Sequence, residues 1–128
     1  MIIGIGTDII NKDRIEESIN KFGDSFINKC FTDFEISESS QKKDKISFFS
    51  KRFAAKEAFY KAIGTGFTNG VSWKDVEVSN DEKGKPNLYI KGKSKEILLS
   101  LVDNPILHLT LSDDKPFAMA TVIIEKEK

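Results

Sequence analysis

Hydrophobic and polar positions alternate from the first residues. Ile2 to Ile10 is β-branched and reads as a strand, with Ile3, Ile5, Thr7 and Ile9 on one face and Gly4, Gly6 and Asp8 on the other. Two glycines beside an acid leave room for another backbone or a ligand to come close. Asp13 to Glu16 then has the spacing of a helix start, and Ile15, Ile19, Phe22 and Phe26 follow at helical intervals. A short helix is expected through FTDFEISES, opened by Thr32 or Asp33, and QKKDK reads as a polar connector. SFFSKRFAAKEAFYKAIG is the long helix, which Gly64 is placed to end.

Beyond Gly70 the period shortens. Val76 and Val78 alternate with polar residues, NDEKGKP is a turn, and Leu88 to Ile90 forms the next strand. SKEILLSLV predicts a helix limited by the proline of DNP. Ile106 to Leu111, a DDKP turn and Phe117 to Ile124 predict a closing antiparallel hairpin. Strands joined late in the chain by turns, not by regular crossovers, make the class α+β: an antiparallel sheet packed against a long helix. With no repeat or linker, 128 residues are expected to form one domain, 1–128.

Composition narrows the function. Lys plus Arg and Asp plus Glu are 20 each, so no global charge points to nucleic acid or membrane, and a charged partner needs a local patch. The lone Cys30 excludes an intramolecular disulfide and a Cys-rich zinc site, and fits a reducing, cytoplasmic setting. The first apolar run is short, lacks a basic lead and is interrupted by Asp8, so neither a signal peptide nor a membrane span is expected.

Two acids stand out. Asp8 lies inside an apolar strand, where charge is costly unless it is paired, hydrogen-bonded or metal-bound. On the long helix, Ala54, Ala55, Ala58, Phe59, Ala62 and Ile63 cover one half. Arg52, Lys56, Glu57, Tyr60 and Lys61, with Phe53, cover the other. The alanines allow close approach to a sheet, which would bring Glu57 toward Asp8. Spacing also fits an ordinary exposed face, with Glu57 and Lys61 as an i, i+4 pair worth about 0.2–0.5 kcal/mol. Against that stand the need of Asp8 for a partner and the run of the helix into Gly64-Thr65-Gly66, a turn whose N–H groups can hold phosphate oxygens. Two acids, nearby cations and a glycine turn point to a divalent metal holding a phosphate-bearing substrate.

GIGTDI, RFAAKEAFYKAIGTG, the GKP turn and a late strand carrying His108 together resemble the holo-acyl-carrier-protein synthase family, in order and at compatible spacing from Met1 to about Glu125. These are bacterial phosphopantetheinyl transferases. The resemblance implies a phosphopantetheinyl-transferase-like fold. It also implies Mg2+-dependent transfer of the phosphopantetheine arm of coenzyme A to a serine of apo acyl carrier protein, releasing adenosine 3',5'-bisphosphate. By similarity Asp8 and Glu57 are magnesium ligands, Lys61 contacts the phosphates, and Glu57 or a metal-held water is the base. Two carboxylates plus substrate phosphates suit magnesium, which keeps several waters.

The remaining expectations come from the same resemblance. Arg52 and Lys56 would reach the ribose phosphate or the diphosphate, or else be solvent-facing charge. Gly64, Thr65 and Gly66 would line the phosphate end. Pro86 would border the nucleotide or simply make a turn. His108 would lie near the nucleotide phosphate of a neighbouring subunit, or be structural. Asp113 stands where many relatives have a second His, so the resemblance does not extend a proton relay to this position. Arg14 matches the carrier-docking position, and Lys21 shares its helix face. The family implies a homotrimer acting in fatty acid biosynthesis with sites between subunits. The apolar run Val122, Ile123 and Ile124 fits that but serves a monomer core equally well. Two other functions share these residues: a metal-dependent nucleotide diphosphate hydrolase using water in place of serine, and a non-catalytic module binding coenzyme A or carrier protein.

Overall fold

A computed structural model of the chain describes residues 1–66 and 70–128. The order is β1 (Ile2–Asn11), α1 (Lys12–Phe22), α2 (Asp24–Cys30), α3 (Asp33–Ser39), α4 (Lys45–Ile63), a 3-10 turn (Trp73–Asp75), β2 (Val76–Asn80), β3 (Pro86–Ile90), α5 (Gly92–Leu101), β4 (Pro105–Asp114) and β5 (Phe117–Lys126). Two antiparallel sheets result, one ordered β1-β5-β4 and the other β2-β3. The α+β class expected from the pattern is the one observed. No helix among the described residues is long and apolar enough to cross a membrane.

Helix α4 is the centre of the molecule. Asp44 caps its first turn by accepting from the Ser47 N–H, and Gly64, left-handed at φ 79°, ends it. Its alanines Ala54, Ala55 and Ala58 are fully buried, so the backbone lies close to the larger sheet. The glycine face of β1 receives it. A Cβ built on Gly4 would stand 2.2 Å from the Ala62 carbonyl oxygen, and one on Gly6 2.1 Å from that of Ala58. Glycine is required at both places by the helix backbone itself.

The sequence pattern errs in two places. One helix from Asp13 to Phe26 was expected, but Gly23, at φ 56°, breaks it into α1 and α2, and Asn11 rather than Asp13 caps α1 by accepting from the Asp13 N–H. The supposed polar half of α4 is the larger error. Arg52, Lys56 and Tyr60 are buried, so this helix is enclosed on nearly all sides. Thr32 does cap α3, with Glu35 returning the bond in a capping box.

Gly6→Ala should destabilise the protein by about 3 kcal/mol, because the helix carbonyl has no flexible side chain to yield. Urea unfolding would show this as a lowered midpoint at unchanged slope, and an unshifted midpoint would contradict the contact.

Candidate active site

Asp8 projects from β1 on the same face as Gly4 and Gly6, toward α4. Its carboxylate oxygen accepts from Lys61 Nζ at 3.0 Å, and Lys61 also donates to the Thr7 carbonyl at 3.1 Å. Glu57 lies one turn before Lys61, half-buried. Its carboxyl is pushed above the usual range first by burial and then by the negative charge of Asp8, while Lys61 and Arg14 pull it back. The two acids therefore feel each other across the junction of β1 and α4, with Lys61 on the edge of the pair. The site continues into the turn that ends α4. Gly64 and Gly66 there have positive φ, and a Cβ at either would meet nothing within 4 Å.

The donor set suits a hard cation. It consists of carboxylate oxygens, and no cluster of three or more His, Cys, Asp or Glu residues suited to a metal occurs among the described residues. Two carboxylates suit magnesium, which completes its shell with waters and substrate oxygens, better than zinc, which takes a closed set of nitrogen and sulfur ligands in structural sites.

Arg52 and Lys56 part company. Lys56, 0% exposed, is sealed in the core: Nζ donates to Glu35 Oε1 at 2.7 Å, to the Trp73 carbonyl and to the Val76 carbonyl. Glu35 also accepts from the backbone N–H groups of Thr32 and Val78, so every charge has partners. Burial pulls the Lys56 ammonium below its ordinary range, and Glu35 works against that shift. The expectation that Lys56 meets coenzyme A is corrected. It ties α4 to α3 and β2, and with its ammonium fully bonded and sealed from solvent it is not solvent-facing charge either.

Arg52 is also buried, but it borders a cleft of about 510 Å3 whose lining sets Lys42, Lys43 and Lys51 against Asp44, Asp81 and Glu82, with Asn80 and Gly84 beside them. Its guanidinium donates to Asn80 Oδ1 at 2.7 Å and stacks on Phe48 at 3.9 Å, leaving a buried Nε with no partner among the described residues. Burial lowers its pKa, with Glu35 and Glu38 opposing. Sequence reasoning passed over Lys42, Lys43 and Lys51. QKKDK read as a solvated connector, although its lysines immediately precede the helix that presents Arg52. Pro86 opens β3 opposite Asn80, at the root of the turn that carries Gly84.

His108 lies elsewhere. It sits on the outer face of the larger sheet, paired with Ile123 and bonded to Glu125 at 3.0 Å. Asp8 is on the inner face, so the chain does not bring these two residues together by itself. Asp113 accepts from Lys12 at 2.7 Å and Ser47 at 2.9 Å, with Lys51 at 3.8 Å. These bonds hold its carboxyl below the usual range and clamp β4 to the starts of α1 and α4. Arg14 and Lys21 are both exposed on α1.

The model of the 4'-phosphopantetheinyl transferase superfamily matches residues 4–122. The chain belongs to the holo-acyl-carrier-protein synthase family. It is 48% identical to the holo-[acyl-carrier-protein] synthase of Sinorhizobium fredii, over 98% of this chain and 92% of that one. Among solved structures it is similar to the synthase of Neisseria meningitidis, at TM-score 0.88 and 37% identity, covering 98% of this chain and all of that one. It is also similar to the synthase of Bacillus anthracis, solved in complex with CoA (3',5'-ADP), at TM-score 0.82 and 39% identity over 99% of each chain. Membership in this synthase family makes the protein an enzyme, a phosphopantetheinyl transferase.

Because burial and Asp8 raise the carboxyl of Glu57, its ionisation costs stability. The folded state binds the extra proton above the ordinary carboxyl value of 4.5, so stability is full below that value and declines as pH rises through the shifted one. Glu57→Gln should therefore unfold at higher temperature than the parent at pH 7 without added metal, and lose that advantage in acid. Thermal scans across pH check this; a lower melting temperature for the variant at pH 7 would refute the sign.

Proposed function

We propose that this synthase transfers the 4'-phosphopantetheine arm of coenzyme A to a serine of apo acyl carrier protein, with Mg2+ as its metal, and that the chain works as one catalytic domain. The observation that carries this reading is the Asp8–Lys61 ion pair where β1 crosses α4, with Glu57 one turn earlier on the same helix. Asp8 and Glu57 would hold the ion, which when bound neutralises the diphosphate and stabilises the leaving phosphate. Lys61 would reach the same phosphates, and the turn at Gly64, Thr65 and Gly66 would line them, although the Gly64 N–H is already bonded to the Tyr60 and Lys61 carbonyls. The carrier serine attacks the phosphorus on the pantetheine side. Its hydroxyl proton passes to the Glu57 carboxylate, and the bond to the other phosphate breaks to release adenosine 3',5'-bisphosphate. The cleft beside Arg52 takes the nucleotide's 3'-phosphate, where Lys42, Lys43 and Lys51 add positive charge. Pro86 and Gly84 border it. Arg14 and Lys21 form the docking edge for an acidic carrier.

Intact-mass analysis of apo carrier protein with enzyme, coenzyme A and Mg2+ tests the reaction. A gain of one phosphopantetheine, lost with chelator and reduced by at least about a thousandfold in rate for Asp8→Asn, is expected. Consumption of coenzyme A without carrier modification would favour the hydrolase, and binding without turnover the non-catalytic module.

The proposed homotrimer has support in the outer face of the larger sheet. Ile5 and Ile9 there are 64% and 62% exposed, with Phe117, Met119 and Ile106 beside them across β5 and β4. A patch of that kind marks an association surface. His108 stands within it, so a second copy seated on this face brings His108 to a neighbour's site. Sedimentation should give three chains per particle, and Ile5→Asp should dissociate them while leaving the circular dichroism intact. A monomer at working concentration would remove the shared-site model.

A further inference from the structure

The cation that Asp8 holds in this structure comes from within the chain. Its side chain is only 14% exposed, whereas that of Lys61 is 54% exposed, so the acid is fixed and the base is tethered at its tip. Nζ has two acceptors on β1, Asp8 Oδ1 at 3.0 Å and the Thr7 carbonyl at 3.1 Å. The lysine stem reaches them across Gly6, whose missing side chain leaves the passage open: a Cβ there would stand 3.0 Å from Lys61 Cβ. Lys61 is the cation that makes a direct ion pair with either acid among the described residues.

An ammonium and a divalent ion cannot share the same carboxylate oxygen without strong repulsion. Lysine, a point charge on a flexible four-carbon stem, can leave at little cost, while the sequestered carboxylate cannot follow it. We propose that Lys61 is a tethered stand-in for the metal: it occupies the cation's seat on Asp8 until a divalent ion displaces it, and the displaced ammonium is then delivered to the substrate's phosphates. The proposal rests on the metal reading of Asp8 and Glu57 given above. It adds a coupling that this reading lacks. Metal binding frees the lysine for phosphate, and phosphate that draws the lysine away opens Asp8 to metal, so each favours the other by the same factor.

Binding of Mn2+, followed by the electron paramagnetic resonance signal of the free ion and without coenzyme A, tests the exchange. Lys61→Met should bind Mn2+ more tightly than the parent, on the order of fivefold, as the loss of one competing ion pair implies. Arg14→Met removes a nearby positive charge that makes no ion pair with either acid, and should gain distinctly less. Equal gains in the two variants, or no gain in Lys61→Met, would overturn the stand-in role. Asp8→Asn separates the two claims, because binding undiminished in that variant would defeat the metal reading itself. A second measurement needs no mutation. Acetylation of Lys61 by an N-hydroxysuccinimide ester, read by peptide mass spectrometry, should accelerate as Mg2+ is added, and a rate independent of Mg2+ would equally overturn the exchange.

Discussion

The seat of α4 on the glycine face of β1 is the constraint on which the rest of the molecule depends. At Gly4 and Gly6 the helix carbonyls of Ala62 and Ala58 occupy space that any side chain would need. Contact at this distance fixes the register of helix against strand to within a residue, as looser packing through large side chains would not. Asp8 is two residues beyond Gly6 on the same strand face, and Lys61 is three beyond Ala58. Their 3.0 Å pairing therefore follows from backbone packing and needs no independent positioning. A constellation of side chains held by two rigid elements is more sharply placed than one held by loops.

That packing has a second consequence, because a helix pressed so tightly to a sheet must be held from behind. Lys56 and Glu35 do this with charge, and Tyr60 does it with hydrogen bonds to the Ser72 carbonyl and Ser94. Removing one member of a fully buried ion pair strands the other, which typically costs about 3–5 kcal/mol. The Lys56–Glu35 pair is thus a fastening between α4, α3 and β2, and it leaves the neighbouring Glu57 as the acid that faces outward. Adjacent residues on one helix, Lys56 and Glu57, carry unlike tasks because a step of 100° separates their directions.

Much of this was legible in the chain, and what was not has a common cause. Caps, turns and strand alternation are local, so Thr32, Gly64 and the closing hairpin were readable from their neighbours in sequence. The approach of α4 to β1 was readable too, since glycine on one element and alanine on the other have few other uses side by side. The burial of Arg52 and Lys56 was not. Their partners, Asn80 and Glu35, lie 28 and 21 residues away, and helical periodicity reports only that a residue is charged. The break at Gly23 escaped notice because apolar spacing continues through it from Phe22 to Phe26.

The two faces of the larger sheet explain why this chain does not bring His108 to its own acids. Across β1, β5 and β4 the rows run Asp8, Ala120 and Leu111 on the inner side, and Ile5, Ile123 and His108 on the outer. The side-chain period of a strand is two, so no rotamer carries His108 through the sheet. Either the histidine serves only its bond to Glu125, or its work is done against another copy. The outer face favours the second course. Ile5 and Ile9 flank the same rows, and isoleucines left that open on a flat sheet are costly in water unless something covers them. In the proposed trimer the apolar surface and the stranded histidine would have one explanation: the sheet would be the inner wall of its own site and the outer wall of the next.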